Sequence, residues 1–419
     1  MNKILFSLLF IACSCSHQPA SQEELVCVQI VDRNDLTKTI SSRDRMKVLQ
    51  KTNFLSSQPY KQVVRVYNTK GQTQKLSKIT SYHPNGNLWQ YLEVVDSRAC
   101  GKYQEFHPNN QIAMQANVIG GPASLSIEDK KKWLFDGESL AFNEEGKILG
   151  RFFYEKGALE KTGFHYYPSG QIQKSIPYLH NEITGELVEY FENGKIKTKT
   201  SYQQSKKEGK AFVYFENSKL NFQENYEQDL LMDGSYFNEE QELISFIHQG
   251  SGFKSLLDQG KIKTQIEYKK GLPCGLVKNF NAQGQLLHLY HQNKDKKEGE
   301  EIEYYPEELP KIKISLQWHE DQIQGTVKTW YENGKLSSSS EWSNNKKNGL
   351  STSWYQEGSL MLVEEYENNR LEKGQYYKKG EKKPTSSISN GSGEATLFDS
   401  DGNFLKKITY IQGRPNFNE

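Results

Sequence analysis

The sequence carries almost no net charge, and it has no apolar run long enough to span a membrane. Its 419 residues include 53 Lys and Arg against 52 Asp and Glu, so the formal net charge is +1. Without an overall positive field the chain lacks the electrostatic attraction that nucleic-acid binding requires, and we expect no nucleic-acid partner. The mean hydropathy is −0.79. These features exclude a polytopic membrane protein, which needs several apolar runs of about 20 residues.

Cysteine is scarce and scattered. Beyond the first 25 residues, the only cysteines are Cys27, Cys100 and Cys274, and the sequence contains no Cys-x-x-Cys pair. Such single, widely spaced cysteines argue against the disulfide framework that stabilises many small secreted domains. We expect the three thiols to behave as small buried apolar side chains.

The common catalytic motifs are also missing. There is no His-Glu-x-x-His, no Gly-x-Ser-x-Gly elbow and no glycine-rich phosphate loop. His288 and His291 lie three residues apart on a predicted strand, so they face opposite sides and cannot bind one metal ion together. His83 and His107 each precede a proline, which favours a role in turns. We predict a non-enzymatic protein with no catalytic residue, no metal and no cofactor; an enzyme whose site is built from scattered residues is the alternative.

Aromatic residues, in contrast, are abundant. The chain has 24 Tyr, 20 Phe and 6 Trp, although hydrophobic residues make up only 35% of it. A chain that stays disordered in water contains few aromatic residues, so disorder throughout is excluded. The combination is typical of an extended, half-exposed β-sheet.

The N-terminus has the composition of an export signal. A single basic residue, Lys3, precedes the apolar residues 4–12, which are too few to span a membrane, so residues 1–12 are predicted to be a signal peptide. Cys13 follows Ala12 directly and closes the apolar core, which resembles a bacterial lipoprotein signal, although Phe10 stands where Leu is usual. We predict lipidation of Cys13, with Cys15 as the alternative and secretion without lipid as the competing interpretation. Residues 13–25 would then be a tether.

One segment recurs along most of the chain. Its best copy, residues 185–196, reads Gly, four residues, an aromatic, three residues, Gly or Asn, one residue and an aliphatic. Copies follow one another at intervals near 24 residues, which indicates a stacked array of identical supersecondary units. The aromatic, called the key aromatic below, falls at Tyr82, Phe106, Phe142, Tyr166, Tyr190, Tyr214, Phe237, Phe280, Tyr304, Trp330, Trp354 and Phe398, with degenerate copies around Leu256 and Tyr376.

Each copy predicts a β-hairpin. The key aromatic ends the first strand, a turn containing Gly, Asn or Asp follows, and the aliphatic begins the second strand. Asn110 and Asp35 stand in for Gly because both residue types tolerate a positive φ. Apolar residues alternate along the second strand, which predicts that Ile312, Ile314, Leu316 and Trp318 share one face. Six residues after the aliphatic comes another bulky apolar residue, such as Tyr202 or Tyr226, and these should align across neighbouring copies.

These units resemble the MORN-repeat variant family of bacterial proteins built from tandem β-hairpins, through the pattern Gly…Tyr-x-x-Asn-Gly-Lys-Ile/Leu. The resemblance implies an all-β fold: an elongated, twisted antiparallel sheet of β-hairpin repeats of about 24 residues. We predict an N-terminal cap or degenerate repeat at 26–59, the repeat array at 60–412 with loops near 120–131 and 382–393, and a tail at 413–419.

The function is predicted from the export signal and the repeat together. Export, tandem hairpins and the missing catalytic motifs favour a protein-interaction scaffold, anchored through its lipid to a bacterial membrane on the periplasmic side or at the cell surface. An unknown protein is the expected partner, and Trp330, Trp354, Tyr190 and Tyr214 are the candidate interaction face, because exposed apolar patches tend to be interfaces. The competing interpretation is that these aromatics form the core of the sheet. Two alternatives are a cell-wall glycan binder, since aromatics at repeat spacing suit a polymer, and an antitoxin-like partner protein, which the family resemblance implies.

Overall fold

The computed structural model describes residues 23–69 and 74–416, and it consists of antiparallel β-hairpins that follow one another in chain order. The predicted all-β fold of tandem hairpins is confirmed. The chain divides into two units, one ending at Ile183 and including Glu192–Gly194, the other comprising Thr184–Phe191 and the chain from Lys195 onwards. The predicted signal peptide, both candidate lipidation sites and the last three residues of the tail lie outside the described residues.

The first unit contains thirteen strands and two short helices in its described residues. They are β1 (Glu23–Val31), β2 (Thr37–Ile40), α1 (Arg43–Leu49), β3 (Gln62–Thr69), β4 (Leu76–Tyr82), β5 (Leu88–Val95), β6 (Arg98–Phe106), β7 (Ile112–Gly120), α2 (Ile127–Lys130), β8 (Leu134–Phe135), β9 (Gly137–Phe142), β10 (Ile148–Glu155), β11 (Ala158–Tyr166), β12 (Ile172–Leu179) and β13 (Glu182–Ile183).

The second unit consists of strands throughout its described residues. They are β14 (Gly185–Tyr190), β15 (Ile196–Gln203), β16 (Lys206–Tyr214), β17 (Leu220–Glu227), β18 (Leu230–Phe237), β19 (Leu243–His248), β20 (Ser251–Asp258), β21 (Lys261–Lys269), β22 (Leu272–Phe280), β23 (Leu286–Asn293), β24 (Lys296–Tyr305), β25 (Lys311–His319), β26 (Gln322–Ile323), β27 (Gly325–Trp330), β28 (Leu336–Ser343), β29 (Lys346–Trp354), β30 (Leu360–Glu367), β31 (Arg370–Tyr376), β32 (Ser386–Ser389), β33 (Ser392–Phe398), β34 (Phe404–Ile411) and β35 (Arg414–Asn416).

The hairpin turns use left-handed residues where the sequence pattern placed them. Asn110 has φ 69° and Asp35 has φ 63°, as expected for residues that replace Gly. Ser218 adopts the same conformation with φ 69° in the β16–β17 turn, and its amide donates to the Phe215 carbonyl at 2.9 Å. The turn geometry therefore persists even where the left-handed position holds none of Gly, Asn and Asp.

In most hairpins, a β-bulge near the start of the second strand changes the face on which the first residues of that strand lie. In the β24–β25 pair, Tyr304 lies opposite Ile312 and Glu303 lies opposite Ile314, so one residue of β25 is unpaired between them. Because an extra residue shifts the alternation, Ile312 faces the side opposite to Ile314 and Leu316. The prediction that Ile312 shares their face was wrong, and the same register shift occurs beside the key aromatic in most hairpins.

The sheet of the second unit has two faces, named here the core face and the aromatic face. On the core face, residues two positions after the repeat glycine are mostly buried, including Leu187, Ala211 and Ser351. Each of them lies directly opposite a residue of the adjacent strand, as Ala211 does with Glu224. The aromatic face carries the key aromatics and their aliphatic partners.

The aromatics that lie six residues after each aliphatic pair with the repeat glycines of the preceding strand. Tyr226 lies opposite Gly209, Trp342 opposite Gly325 and Tyr410 opposite Gly393. The predicted alignment of these aromatics across copies is confirmed.

Two degenerate copies are offset by one residue from the sequence prediction. Leu257, rather than Leu256, lies opposite Ile262 at the start of β21. Tyr376 is buried on the core face opposite Leu362, and Tyr377 follows it at the key position. The interval from the preceding key aromatic is 20 residues for Leu257, counted from Phe237, and 23 for Tyr377, counted from Trp354, rather than 24.

Regular structure occupies segments predicted as caps and loops. Within 26–59, β1 pairs with β2, and Met46 of α1 is buried. Within 120–131, α2 begins after Ser126, whose hydroxyl accepts the Asp129 amide. Within 382–393, β32 pairs with β33. In the described part of the chain, no helix combines the length and apolar character needed to cross a bilayer.

Candidate interaction surface

The four predicted interface aromatics occupy one repeated position in the second unit. Tyr190, Tyr214, Trp330 and Trp354 each end the first strand of a hairpin. Each lies directly opposite the aliphatic that begins the next strand, and the four partners are Ile196, Leu220, Leu336 and Leu360. Directly opposed residues of an antiparallel pair share a face, so each hairpin presents one aromatic–aliphatic pair.

These pairs lie on the aromatic face, away from the buried row. Tyr190 is half-buried, and its partner Ile196 is 40% exposed, whereas Leu187 of the same strand is buried on the core face. All four key aromatics are half-buried, neither fully exposed nor part of the buried row.

The apolar exposure extends to further copies. Leu243, opposite Phe237, is 56% exposed, and Phe404, opposite Phe398, is 60% exposed. Phe246 lies opposite Ser235, on the same face as Phe237, and is 59% exposed. A face with this much exposed apolar area differs from the scattered single residues of an ordinary protein surface.

The charges on the aromatic face are balanced locally. Lys199 forms an ion pair with Glu186 at 2.8 Å, and Lys407 forms one with Glu394 at 2.7 Å. The hydrogen bond to Glu186 raises the pKa of Lys199. Since each of these cations has an acidic neighbour on the adjoining strand, this part of the face suits a partner that is neutral or mixed in charge.

The residue after the key aromatic fixes the next repeat. Tyr305 donates its hydroxyl hydrogen to the Trp330 carbonyl at 2.7 Å, and Tyr331 donates to the Trp354 carbonyl at 2.7 Å. Tyr355 bonds Tyr377 in the same way, and burial raises its pKa to about 12. These bonds hold the backbone of the interface tryptophans in register. This role was not predicted from the sequence, although the recurring Tyr after the key aromatic was a visible signal.

In the first unit, histidine side chains bond the carbonyl of the key aromatic in the next repeat. The Nε2 atom of His83 lies 2.8 Å from the Phe106 carbonyl, and that of His107 lies 2.9 Å from the Phe142 carbonyl. The predicted role of these histidines in turns is confirmed. His288 and His291 are on opposite faces of β23, also as predicted, since they pair with Asn279 and Leu276 respectively.

Loops at the opposite edge are clamped by a second device. The amide of Asn369 donates to the Lys347 carbonyl at 2.8 Å, while its Oδ1 accepts the Lys347 amide at 2.7 Å. Asp229 holds Lys207 through the same two bonds. These Asn and Asp residues have positive φ, so one residue both closes its own turn and binds the preceding repeat.

The core face holds three buried carboxylates, Glu224, Glu301 and Glu364. Glu224 accepts hydrogen bonds from Tyr226 at 2.7 Å and Tyr236 at 2.6 Å, and it pairs with Lys254 at 2.7 Å. Burial and the Glu224 carboxylate raise the pKa of Tyr236, which keeps its hydroxyl protonated as a donor. A carboxylate with three donors is a stabilising cluster rather than a free base.

The other two carboxylates are held in related ways. Glu301 accepts from His288 at 2.6 Å, Lys297 at 2.5 Å and Trp318 at 2.5 Å. Glu364 accepts from Tyr366 at 3.0 Å and Tyr376 at 2.8 Å.

In the described residues, no group of three or more His, Cys, Asp or Glu side chains is arranged to hold a metal ion. Cys27, Cys100 and Cys274 are unpaired thiols and are half-buried rather than fully buried as predicted.

Comparison with known families supports the repeat assignment. Residues 159–180, 183–204, 207–228 and 323–344 each match the MORN repeat variant. The first three matches begin 24 residues apart, in agreement with the predicted period. No curated protein matches the chain. The chain therefore contains MORN-variant repeats.

Proposed function

We propose that the chain is a non-enzymatic protein-interaction scaffold, exported and tethered to a bacterial membrane through a lipid on Cys13, with Cys15 as the alternative. The observation that carries the proposal is the aromatic–aliphatic pair at one hairpin position, from Tyr190–Ile196 to Trp354–Leu360. Such pairs offer a partner several equivalent apolar contacts along one face.

The residue types support protein binding. Trp and Tyr are the side chains that most often dominate interface energies, especially when they are held rigidly. The backbone of Trp330 and Trp354 is held by the tyrosine bonds to their own carbonyls, so little backbone freedom is lost on binding. Repetition of the pair allows several weak contacts to act together.

The core-face chemistry is consistent with a non-enzymatic protein. Glu224, Glu301 and Glu364 are each bonded to Tyr, Lys, His or Trp donors. A general base needs a free lone pair directed at a substrate, and these carboxylates direct theirs into their own donors.

The partner is tested by cross-linking in intact cells, followed by isolation of the tagged full chain. The wild type should retain a discrete protein that Trp330→Ala with Trp354→Ala loses. Leu309→Ala, which removes a 79% exposed apolar residue outside the pairs, should retain it. Equal recovery from the double variant would contradict the proposal.

The tether is tested separately by metabolic labelling with a palmitate analogue. The wild type should be labelled, and replacement of the modified cysteine, Cys13→Ala or Cys15→Ala, should abolish the label. An unlabelled wild type would contradict the tether. A periplasmic reporter fused to the chain should be active, whereas an antitoxin-like protein acting in the cytoplasm would leave it inactive.

A further inference from the structure

A pocket lined by several polar residues and one aromatic ring opens on the aromatic face over β16, β17 and β18. Its volume is about 160 Å³. The side chains that line it from this face define the Phe212 pocket: Lys210, Phe212, Gln223, Asn225, Asp233 and Ser235. None of these residues belongs to the four predicted interface positions.

The pocket residues form two rows across the three strands. Lys210 lies opposite Asn225, which lies opposite Asp233. Phe212 lies opposite Gln223, which in turn lies opposite Ser235. Strands lie about 4.8 Å apart, so each row spans roughly 10 Å, and directly opposed residues point to the same side. The sheet register itself therefore makes the six side chains converge.

The polar side chains of the pocket are available to a ligand. Among residues 23–69 and 74–416, no side chain or backbone group forms a hydrogen bond or ion pair with the side chains of Lys210, Gln223, Asn225 or Ser235. Asp233 Oδ1 is 3.0 Å from His248 Nδ1, so one oxygen of this carboxylate is engaged by the protein. The pocket thus offers ammonium, amide, hydroxyl and carboxylate groups together, which supply both donors and acceptors.

Two aromatic rings flank these polar groups. Phe212 packs against Tyr214 with ring centroids 6.4 Å apart and an interplanar angle of 20°, which fixes its orientation. At the other end of the same row, Phe246 lies opposite Ser235 and is exposed. A ligand between Phe212 and Phe246 would meet an apolar ring at each end and polar groups along the strands between them.

The floor of the pocket is rigid because of the cluster beneath it. On the core face, Glu224 joins Tyr226 of β17, Tyr236 of β18 and Lys254 of β20. A β-carbon added at Gly234 would lie 2.7 Å from the Tyr236 hydroxyl, so the backbone here is closely packed. Supporting contacts of this kind hold a binding site in one geometry.

We propose that the Phe212 pocket binds a saccharide. A sugar ring has an apolar C–H face that stacks on an aromatic ring and a rim of hydroxyls that both donate and accept hydrogen bonds, and the pocket matches each property. A simple anion would need uncompensated cations, whereas Lys210 is balanced by Asp233 in the same row. A largely apolar ligand would leave the unpaired amides of Gln223 and Asn225 desolvated without partners. The inference stands independently of the protein partner proposed above.

The experiment is calorimetric titration of the detergent-solubilised full chain with chitotetraose, maltotetraose, xylotetraose and soluble peptidoglycan fragments, with inorganic phosphate as the anion control. We expect at least one saccharide to bind the wild type and phosphate not to bind. Phe212→Ala should weaken binding of that saccharide by up to about tenfold, since one aromatic contact contributes up to about 1.5 kcal/mol. Asn225→Ala removes an amide from the opposite row with little effect on packing and should also weaken binding.

Thr352→Ala is the matched control, because Thr352 occupies the same repeat position on the same face as Phe212. It should bind like the wild type, and thermal melting of every variant establishes that it is folded. Should Phe212→Ala fail to fold, Asn225→Ala decides. The proposal is overturned if none of the saccharides binds, if phosphate binds equally well, or if folded Phe212→Ala or Asn225→Ala retains full affinity.

Discussion

The carboxylate of Glu341 lies over Gly349 and takes the space that a β-carbon at that position would need. Its Oε2 accepts the backbone N–H of Leu350 at 2.9 Å, and Gly349 has φ 113°. Glycine is therefore required at this position for two reasons, its backbone conformation and its missing side chain. Two other copies repeat the arrangement, Glu93 over Gly101 and Glu267 over Gly275.

Gly349→Ala should destabilise the protein more than Gly325→Ala. Both glycines have positive φ, but no heavy atom lies within 4 Å of a β-carbon built on Gly325. Gly325→Ala should cost about 1–2 kcal/mol through its backbone conformation. Gly349→Ala should cost about 1.5–3 kcal/mol more, because it displaces a charged hydrogen-bond acceptor. Urea unfolding of both variants measures the difference, which should shrink when Glu341→Ala is added; equal costs would contradict the assignment.

Tyr236→Phe should destabilise the protein by about 1.5–3 kcal/mol, because it removes a hydrogen bond to a buried charged group. The hydroxyl lies 2.6 Å from Glu224 Oε1, and the ring itself is buried. Tyr214→Phe is the control, since it removes a hydroxyl from the aromatic face without breaking such a bond, and it should change the free energy of unfolding by less than about 0.5 kcal/mol. Equal effects in thermal and urea unfolding would show that the Glu224 cluster contributes nothing.

The repeat and its hairpins were predictable because they depend on local periodicity. The key aromatic, the turn and the aliphatic recur in sequence, and their pairing, as in Tyr190–Ile196, follows from a hairpin of fixed length. The placement of the candidate interface at one repeated position followed from the same spacing.

The faces of the sheet were not predictable by simple alternation. The bulge beside Tyr304 moves Ile312 to the aromatic face, and no residue in the sequence marks it. The Phe212 pocket was also missed, because its two rows depend on the register between three strands rather than on a motif. Buried carboxylates such as Glu224 look like ordinary surface residues in sequence.

Stability in acid should depend on Glu301. Burial alone would raise the pKa of this carboxyl, but the hydrogen bonds from Lys297 and His288 outweigh burial and hold the pKa below its ordinary value of 4.5. The folded state therefore binds a proton less readily than the unfolded chain. The resulting stabilisation is complete above pH 4.5 and is lost as the pH falls through the lower folded-state pKa.

Glu301→Gln should accordingly flatten the loss of stability as the pH falls below 4.5, and it should be less stable than the wild type at pH 7. Unfolding by urea at a series of pH values measures both. Glu320→Gln, which alters an exposed carboxylate near Lys296, should leave the wild-type profile unchanged. A Glu301→Gln profile as steep as that of the wild type would refute the assignment.

The loop clamp at Asn369 should respond to substitution in a graded order. Asn369→Asp keeps the side-chain acceptor, as Asp229 does naturally, and should be nearly neutral. Asn369→Gly keeps the backbone conformation but loses the bond to Lys347, at about 1 kcal/mol. Asn369→Ala should cost about 1–2 kcal/mol more than Asn369→Gly, because a residue with a β-carbon is disfavoured in the left-handed conformation. Hydrogen exchange of the Lys347 amide should accelerate in the same order, and unchanged exchange in Asn369→Gly would contradict the clamp.

The scaffold proposal is tested most directly by placing one photo-cross-linking amino acid on each face of the same strand in living cells. At Trp354 the cross-linker lies on the aromatic face, and at the adjacent Ser353 it lies on the opposite face, since Ser353 pairs with Leu362 and Trp354 with Leu360 across the bulge. We predict a discrete cross-linked protein from position 354 and none from position 353. Cross-linking of the same protein from both positions, or from neither, would contradict the account.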